Sequence, residues 1–184
     1  MIKLEVFGRD DIPQLMEWIG DNPQFLLQWS GLSMKHPLTV DQLVRYSENA
    51  NSTDSDVLAF KVIHLESGKP IGHISLGSIN RENGTARMCR VLIGERTMKG
   101  KGIGLFMVKE LLKIAFEQVK LHKVSLAVFD FNVSAIKLYE KAGFTKEGFI
   151  REACRIGEDY WSYYEMSILD HEWAGGGALN SKEN

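Results

Sequence analysis

The segment Lys99-Gly100-Lys101-Gly102-Ile103-Gly104 decides how the chain folds, because it joins an apolar strand-like run to an amphipathic helix. Its glycines leave the backbone open to an anion and permit the positive φ angles that turn successive N–H groups toward one point. The helix that starts here adds the positive end of its dipole, and the two lysines add charge. The segment, called the phosphate loop below, is therefore predicted to bind a phosphate group.

Spacing excludes the two best-known phosphate-binding loops. A nucleoside-triphosphate loop needs a glycine at a fixed distance before Gly-Lys-Ser/Thr, but Gly94 lies one residue too far from Gly100, and Gly102 replaces the hydroxyl residue. A dinucleotide fingerprint needs a third small residue where this chain has Met107 or Leu105. A tight connection between strand and helix, without any ligand, remains the structural alternative.

Composition indicates one domain and excludes a general affinity for polyanions. The 184 residues are 44% hydrophobic, enough for one full core. A formal net charge of -2 argues against nucleic acid or an anionic membrane as a partner. The first residues do not resemble a signal peptide, and no apolar run approaches the roughly 18 residues of a membrane span, so a cytoplasmic protein is expected. Cys89 and Cys154 lack partners at metal-ligand spacing, and we predict neither a metal site nor a disulfide.

Apolar periodicity and turn residues predict a mixed α/β domain over residues 1–173, followed by a disordered tail at 174–184. A strand at 2–7 precedes three short helices, which follow Asp10 or Asp11, Asn22-Pro23 (through Trp29) and the capping box Thr39-Val40-Asp41-Gln42 (through about Ala50). Strands at 57–65, 71–79 and 85–93 form an antiparallel meander. A strand at 124–129 follows the long helix, and this βαβ unit makes the strands at 85–93 and 124–129 parallel. A helix at 134–142 and a hairpin of strands at 144–156 and 160–169 complete the domain.

A second motif, Asn132-Val133-Ser134-Ala135-Ile136-Lys137-Leu138-Tyr139-Glu140-Lys141-Ala142-Gly143-Phe144, follows the predicted parallel strand. Taken alone, it predicts a capped amphipathic helix that stops at a glycine. Its position after a parallel strand places the helix start at the same sheet edge as the phosphate loop. Asn132 and Tyr139 are about two helical turns apart and can face one groove.

Together the two motifs resemble the GNAT superfamily of N-acetyltransferases. Gly102 and Gly104 match the glycines of its Arg/Gln-x-x-Gly-x-Gly/Ala signature, with Lys99 in place of Arg or Gln. The resemblance covers about residues 57–169, and the C-terminal part is similar to the branch of ribosomal-protein N-terminal and spermidine acetyltransferases. It implies a single domain with a mixed central sheet of about seven strands, containing the antiparallel meander, a splayed parallel pair and the C-terminal hairpin.

The resemblance also implies acetyl-CoA as the donor and names the residues that bind it. The N–H groups of the phosphate loop would hold the pyrophosphate, and Leu92 and Ile93 would pair with the pantetheine arm. An N–H near Leu92 would polarise the thioester carbonyl. Asn132 would bond the pantetheine, and Tyr139 would protonate the departing thiolate, although its spacing also permits a core tyrosine. The acetyl group would pass directly to a primary amine without a covalent enzyme intermediate.

The sequence does not identify the residue that would act as general base. Many GNAT enzymes have a glutamate on the strand before the glycine loop, where this chain has Arg87-Met88-Cys89-Arg90-Val91. We interpret Cys89 as a buried thiol. The other candidate bases are more simply surface or structural residues: Glu95, Glu165, His73 and His36. Deprotonation at pH 7 costs about 4.6 kcal/mol for a lysine-like amine and about 1 kcal/mol for an α-amine, so weak base assistance favours a low-pKa acceptor.

The acceptor itself is expected to be a small-molecule amine or a peptide N-terminus, and a homodimer is expected from the family. Trp29, Tyr160 and Trp161 are candidate acceptor contacts, although alternate strand positions face the core and aromatic residues often only pack. A non-catalytic acetyl-CoA sensor is the alternative function. The absent glutamate favours the sensor, whereas Tyr139 favours the enzyme.

Overall fold

Twelve main elements appear in a computed structural model that describes residues 1–175. In chain order they are β1 (Ile2–Val6), α1 (Ile12–Ile19), α2 (Pro23–Ser30), α3 (Val40–Glu48), β2 (Leu58–His64), β3 (Pro70–Asn80), β4 (Thr85–Ile93), α4 (Ile103–Lys113), β5 (Lys123–Phe129), α5 (Val133–Ala142), β6 (Thr145–Ile156) and β7 (Asp159–Leu169). A π-helical turn, Ile114–Gln118, continues α4. The predicted strands and helices are confirmed, with ends that differ by one or two residues. The part of the predicted tail beyond residue 175 lies outside the described residues.

The strands form one mixed sheet in the order β1-β2-β3-β4-β5-β7-β6. Only β4 and β5 run parallel; the other neighbours are antiparallel. The single parallel pair arises because α4 carries the chain from the end of β4 back to the start of β5. The expected fold, with its N-terminal meander, central parallel pair and C-terminal hairpin, is confirmed.

Helices cover both faces of the sheet. On one face, α4 and α5 bury a core that includes Met107, Leu111 and Leu112. On the other face, the three N-terminal helices bury a second core around Leu15 and Leu43. Within residues 1–175, no helix is both long and apolar enough to cross a bilayer.

Local capping explains where two of the N-terminal helices begin. Asn22 Oδ1 accepts a hydrogen bond from the Phe25 N–H at 2.9 Å, as expected for an N-cap. Thr39 Oγ1 likewise accepts from the Gln42 N–H at 3.3 Å. The Gln42 side chain does not complete the predicted capping box, because its amide bonds the backbone N–H and carbonyl of Lys35 instead. Gln42 thereby ties the preceding loop to α3.

The parallel pair separates soon after it forms. The ladder joins Thr85, Ala86 and Arg87 to residues 123–125 and then ends, although both strands continue. A bulge in β4 adds one residue between the pairs Ser75–Cys89 and His73–Leu92. Arg90 lies in this bulge with a φ of 53°, a left-handed conformation that is uncommon for a residue other than glycine. The divergence of the two strands opens a slot in the sheet.

Candidate active site

The slot between β4 and β5 forms a cavity of about 650 Å³. Its walls include residues 87–93 of β4 and residues 126–129 of β5. Residues 28–32, at the end of α2, line it on one face of the sheet, and α5 lines it on the other. The cavity therefore connects the two faces and is large enough for a small-molecule ligand.

The phosphate loop lies at the α4 end of this cavity. Gly100 and Gly102 have φ angles of 78° and 75°, and an added Cβ at either would meet no neighbouring atom within 4 Å. Within the described chain, no acceptor bonds the N–H groups of residues 100–104. A cradle of free N–H groups at a helix start fits a phosphate. Lys99, Gly100 and Gly104 line the cavity, whereas residues 101–103 are not part of its wall.

Gly104 has a different role from the other two glycines. It lies in the first turn of α4, and a Cβ placed on it would come within 2.5 Å of Leu138 Cδ1 on α5. A methyl group here would force the end of the Leu138 side chain to move. Gly104 therefore brings the phosphate loop close to α5, the helix that carries Tyr139.

Asn132 and Tyr139 both line the cavity, as their spacing predicted. Asn132 caps α5, since its Oδ1 accepts from the Ala135 N–H at 3.4 Å. Tyr139 is only 8% exposed, and its ring packs edge-on against Phe144. No hydrogen-bond partner for its hydroxyl is found among residues 1–175. Burial raises the pKa of Tyr139 above its usual value of 10, so the hydroxyl keeps its proton at neutral pH.

The β4 wall holds cations and a thiol instead of a carboxylate. Arg87 donates through both terminal nitrogens to the Glu165 carboxylate on β7. The Cys89 thiol donates to the Arg87 carbonyl at 3.5 Å, and burial raises the pKa of this thiol, so it is not activated. Of the cavity-lining residues described, none is Asp or Glu.

Each candidate base has a structural partner. Glu165 is occupied by Arg87, Glu95 accepts from the N–H and hydroxyl of Thr97, and His36 pairs with Asp21. His73 is buried, and burial lowers its pKa from 6.5 to about 4. Because a carbonyl can only accept, His73 Nδ1–H donates to the Arg90 carbonyl at 3.1 Å, and Nε2 is left to accept from the Tyr46 hydroxyl at 3.3 Å. His73 is thus a neutral imidazole that holds the bulge to α3.

The three predicted acceptor contacts lie in different places. Trp29 lines the cavity, and its indole Nε1 is buried without a partner. Tyr160 is 54% exposed near the tip of the hairpin, and Trp161 packs edge-on against Phe129 and Phe131. Neither of these two lines the cavity. Sequence reasoning also did not assign a role to Arg90, which lines the cavity beside Trp29, because no sequence signal marked the bulge that presents it.

Comparison with known proteins agrees with this geometry. The family model described as an acetyltransferase (GNAT) domain matches residues 2–145. An aminoglycoside N(6')-acetyltransferase type 1 of Klebsiella pneumoniae is 26% identical over 156 residues, which cover 80% of this chain and 75% of that protein. A putative ribosomal N-acetyltransferase of Bacillus subtilis, YdaF, is 24% identical over 188 residues, covering 95% of this chain and 94% of the relative. Spermidine N-acetyltransferase from Vibrio cholerae, solved with CoA and spermine, superposes with a TM-score of 0.79 at 24% identity, over 93% of this chain and 96% of that one.

The fold, the phosphate loop and the matched family model together define an acyltransferase of the GNAT type. The chain belongs to the GNAT acetyltransferase family. It is an acetyl-CoA-dependent N-acetyltransferase that acts on an amine, and the alternative of a non-catalytic sensor is not favoured.

Proposed function

We propose that the chain binds acetyl-CoA in the slot between β4 and β5 and transfers the acetyl group directly to a primary amine of low pKa. The observation that carries this proposal is the separation of the strands after Arg87 and Ser125, which opens a cavity with a free N–H cradle at one end. The unpartnered hydroxyl of Tyr139 on the wall of that cavity adds a proton donor.

The donor site would consist of the phosphate loop, the free edge of β4 and the start of α5. The N–H groups of residues 100–104 bind the pyrophosphate, and Lys99 adds charge without the fork geometry of an arginine. The edge of β4 beyond Arg87 has no partner on β5, so Leu92 and Ile93 can pair with an amide-bearing arm. Asn132 bonds the same arm.

Bound acetyl-CoA supplies the activated thioester. The N–H at Leu92 donates to the carbonyl oxygen and stabilises the negative charge that develops there. Tyr139 Oη donates its proton to the departing sulfur, a role that its raised pKa suits because the hydroxyl is protonated when the amine attacks.

We infer an acceptor amine of low pKa because no carboxylate on the described walls of the cavity could act as general base. Without a carboxylate on its described walls, the amine must arrive largely deprotonated or lose its proton through water. An α-amine, with a pKa near 7.8, meets this demand at a cost of about 1 kcal/mol at pH 7, compared with about 4.6 kcal/mol for an ε-amine. We therefore favour an α-amine over the polyamines and aminoglycosides that relatives are named for.

Two matched peptides test this preference. One has a free α-amine and an acetylated lysine, and the other has an acetylated N-terminus and a free lysine; CoA thiol release is followed from pH 6 to 10. We expect the α-amine peptide to react faster and its rate to level off near pH 8. Equal rates that depend on one enzyme group below pH 8 would overturn the low-pKa proposal while leaving acetyl transfer intact.

Two further proposals concern location and assembly. We propose that the protein works in the cytoplasm, which cell fractionation would test. We also propose that it forms homodimers, which light scattering of the purified full chain would test.

A further inference from the structure

The charges along the cavity are unbalanced on its acceptor side. Three cations line the cavity, and the Arg87 charge is compensated by Glu165. Lys99 lies in the phosphate loop, where the donor supplies negative charge. Arg90 has no carboxylate within ion-pair distance among residues 1–175. One cationic side chain in the slot therefore lacks a counter-charge.

Arg90 is held on the side of the N-terminal helices, away from α5. Its Nη2 donates to Ser33 Oγ at 2.9 Å, and its guanidinium carbon lies 4.4 Å from the centre of the Tyr46 ring. The carbonyl of Arg90 accepts from His73, which fixes the bulge. These contacts orient the guanidinium but leave its Nε buried without a hydrogen-bond partner.

Trp29 provides a second unpartnered donor on the same side. Its side chain is 6% exposed and lines the cavity, and its Nε1 is buried without a partner. Both nitrogens are closed to a water molecule in this conformation, so neither is open to the cavity, and the charge of the guanidinium is the feature that selects a ligand. A guanidinium without a counter-charge is best matched by a carboxylate.

We propose that the acceptor carries a carboxylate close to its α-amine and that Arg90 binds this carboxylate. The inference rests on the proposed function and deepens it, because it names the substrate class. A polycationic amine does not suit the site, since it would meet Arg90 without any carboxylate on the described walls. The carboxylate is the side chain of an acidic first residue in a peptide, because the α-amine of a free amino acid lies beside its own carboxylate and has a higher pKa than the peptide α-amine of the proposed function.

Pairs of acceptors that differ only in charge separate the effect of the carboxylate charge from the effect of ligand size. The peptides Asp-Ala-Ala-amide and Asn-Ala-Ala-amide have nearly the same shape and a similar α-amine, and Glu and Gln peptides form a second pair. Spermidine is the polycation. CoA release gives kcat/KM for each. We expect kcat/KM for the acidic peptide of at least one pair to exceed that of its amide about tenfold or more.

Variants then test Arg90 itself. Arg90→Gln should bring the acid-to-amide ratio close to one, mainly through KM, and Arg90→Lys should keep part of it. Because the ratio is measured within one variant, a loss of folded protein cancels. Arg45→Gln on the exposed side of α3 removes a positive charge that does not line the cavity, and it should keep the wild-type ratio.

The outcomes distinguish this inference from the proposed function. The carboxylate proposal alone is overturned if neutral amines or spermidine turn over as fast as, or faster than, every acidic acceptor. It is also overturned if the preference for acidic acceptors survives in Arg90→Gln. If acetyl-CoA does not bind and no amine releases thiol, the proposed function fails with it.

Discussion

Arg87 on β4 and Glu165 on β7 form a two-pronged ion pair that passes over β5, the strand between them. Arg87 belongs to the last rung of the parallel ladder, where it also donates to Ser125 Oγ at 3.3 Å. The pair therefore clamps three strands at the point where β4 and β5 begin to separate. Its presence explains how the sheet remains intact beside an open slot.

Breaking this clamp should destabilise the protein without removing a catalytic base. A double-mutant cycle of Arg87→Ala and Glu165→Ala should give a coupling of about 1–2 kcal/mol in urea unfolding, because the pair is partly buried and bidentate. Glu165→Gln should lower kcat less than about tenfold, since loss of a general base costs about a hundredfold or more. A larger fall in kcat, with acetyl-CoA affinity retained, would assign the base to Glu165 and contradict our interpretation.

Tyr139→Phe should reduce turnover while leaving donor binding intact. The change removes one hydroxyl and keeps the ring that packs on Phe144, so kcat should fall about a hundredfold or more, whereas acetyl-CoA Kd should change less than about twofold. Tyr164→Phe removes a hydroxyl on β7 outside the cavity and serves as the matched control. An unchanged kcat in Tyr139→Phe would exclude this residue from proton transfer.

Proton donation by the same hydroxyl should leave the alkaline side of the pH–rate profile flat. Because burial raises the pKa of Tyr139 above 10, its proton remains in place through the range in which an α-amine becomes deprotonated. The rate with a good acceptor should therefore show no decline below about pH 10. A descending limb centred near pH 8 or 9 that disappears in Tyr139→Phe would contradict this expectation.

His73 should make the stability of the fold depend on pH. Burial lowers its pKa from 6.5 to about 4, so between these values the unfolded chain binds a proton that the folded chain does not. Its contribution is fully present above about pH 7 and is lost as the pH falls from 6.5 toward 4, at up to about 1.4 kcal/mol per pH unit. Urea unfolding at pH 7, 6 and 5 should show a smaller slope in His73→Gln than in the wild type. His64→Gln controls for the number of histidines, and an equal slope in wild type and His73→Gln would show that His73 is not the group responsible.

Two glycines of the phosphate loop should respond differently to alanine. Gly102→Ala forces a side chain into a left-handed conformation in open space, which should cost about 1 kcal/mol of stability. Gly104→Ala places a Cβ against the end of the Leu138 side chain, which also lines the cavity, so Leu138 must move and kcat as well as stability should fall. The double variant Gly104→Ala with Leu138→Ala makes room for the methyl group and should recover part of the lost kcat. Failure to recover would place the effect of Gly104 in the loop itself.

The order and type of the elements could be predicted from the sequence because local signals encode them. Asn22 caps α2 and Gly143 ends α5 as predicted, and the phosphate loop begins α4. Motif spacing pointed to residues that line the cavity, since a loop and a helix start that follow parallel strands meet at one sheet edge. Asn132 and Tyr139 line the cavity for this reason.

The side of the cavity that faces the N-terminal helices could not be predicted, because it depends on contacts between residues far apart in the sequence. Arg90 comes to lie over Tyr46 only through a bulge with no glycine to announce it, and Glu165 meets Arg87 from 78 residues away. Likewise, alternation along β7 indicated that some of its aromatic residues face inward but did not specify Tyr163, which lines the cavity, over Trp161, which does not.

The bulge at Arg90 also changes which side of the sheet β4 serves. Met88 and Leu92 are four residues apart and would share a face in a regular strand, yet Met88 packs into the core under α4, and Leu92 packs into the core of the N-terminal helices. One strand thus contributes to both helical layers, because the extra residue of the bulge reverses which side chains face each layer. The number of residues in the bulge is therefore more constrained than their identity. A substitution alters one contact, whereas deletion of a single bulge residue would turn every later side chain of β4 to the opposite face and remove the slot wall.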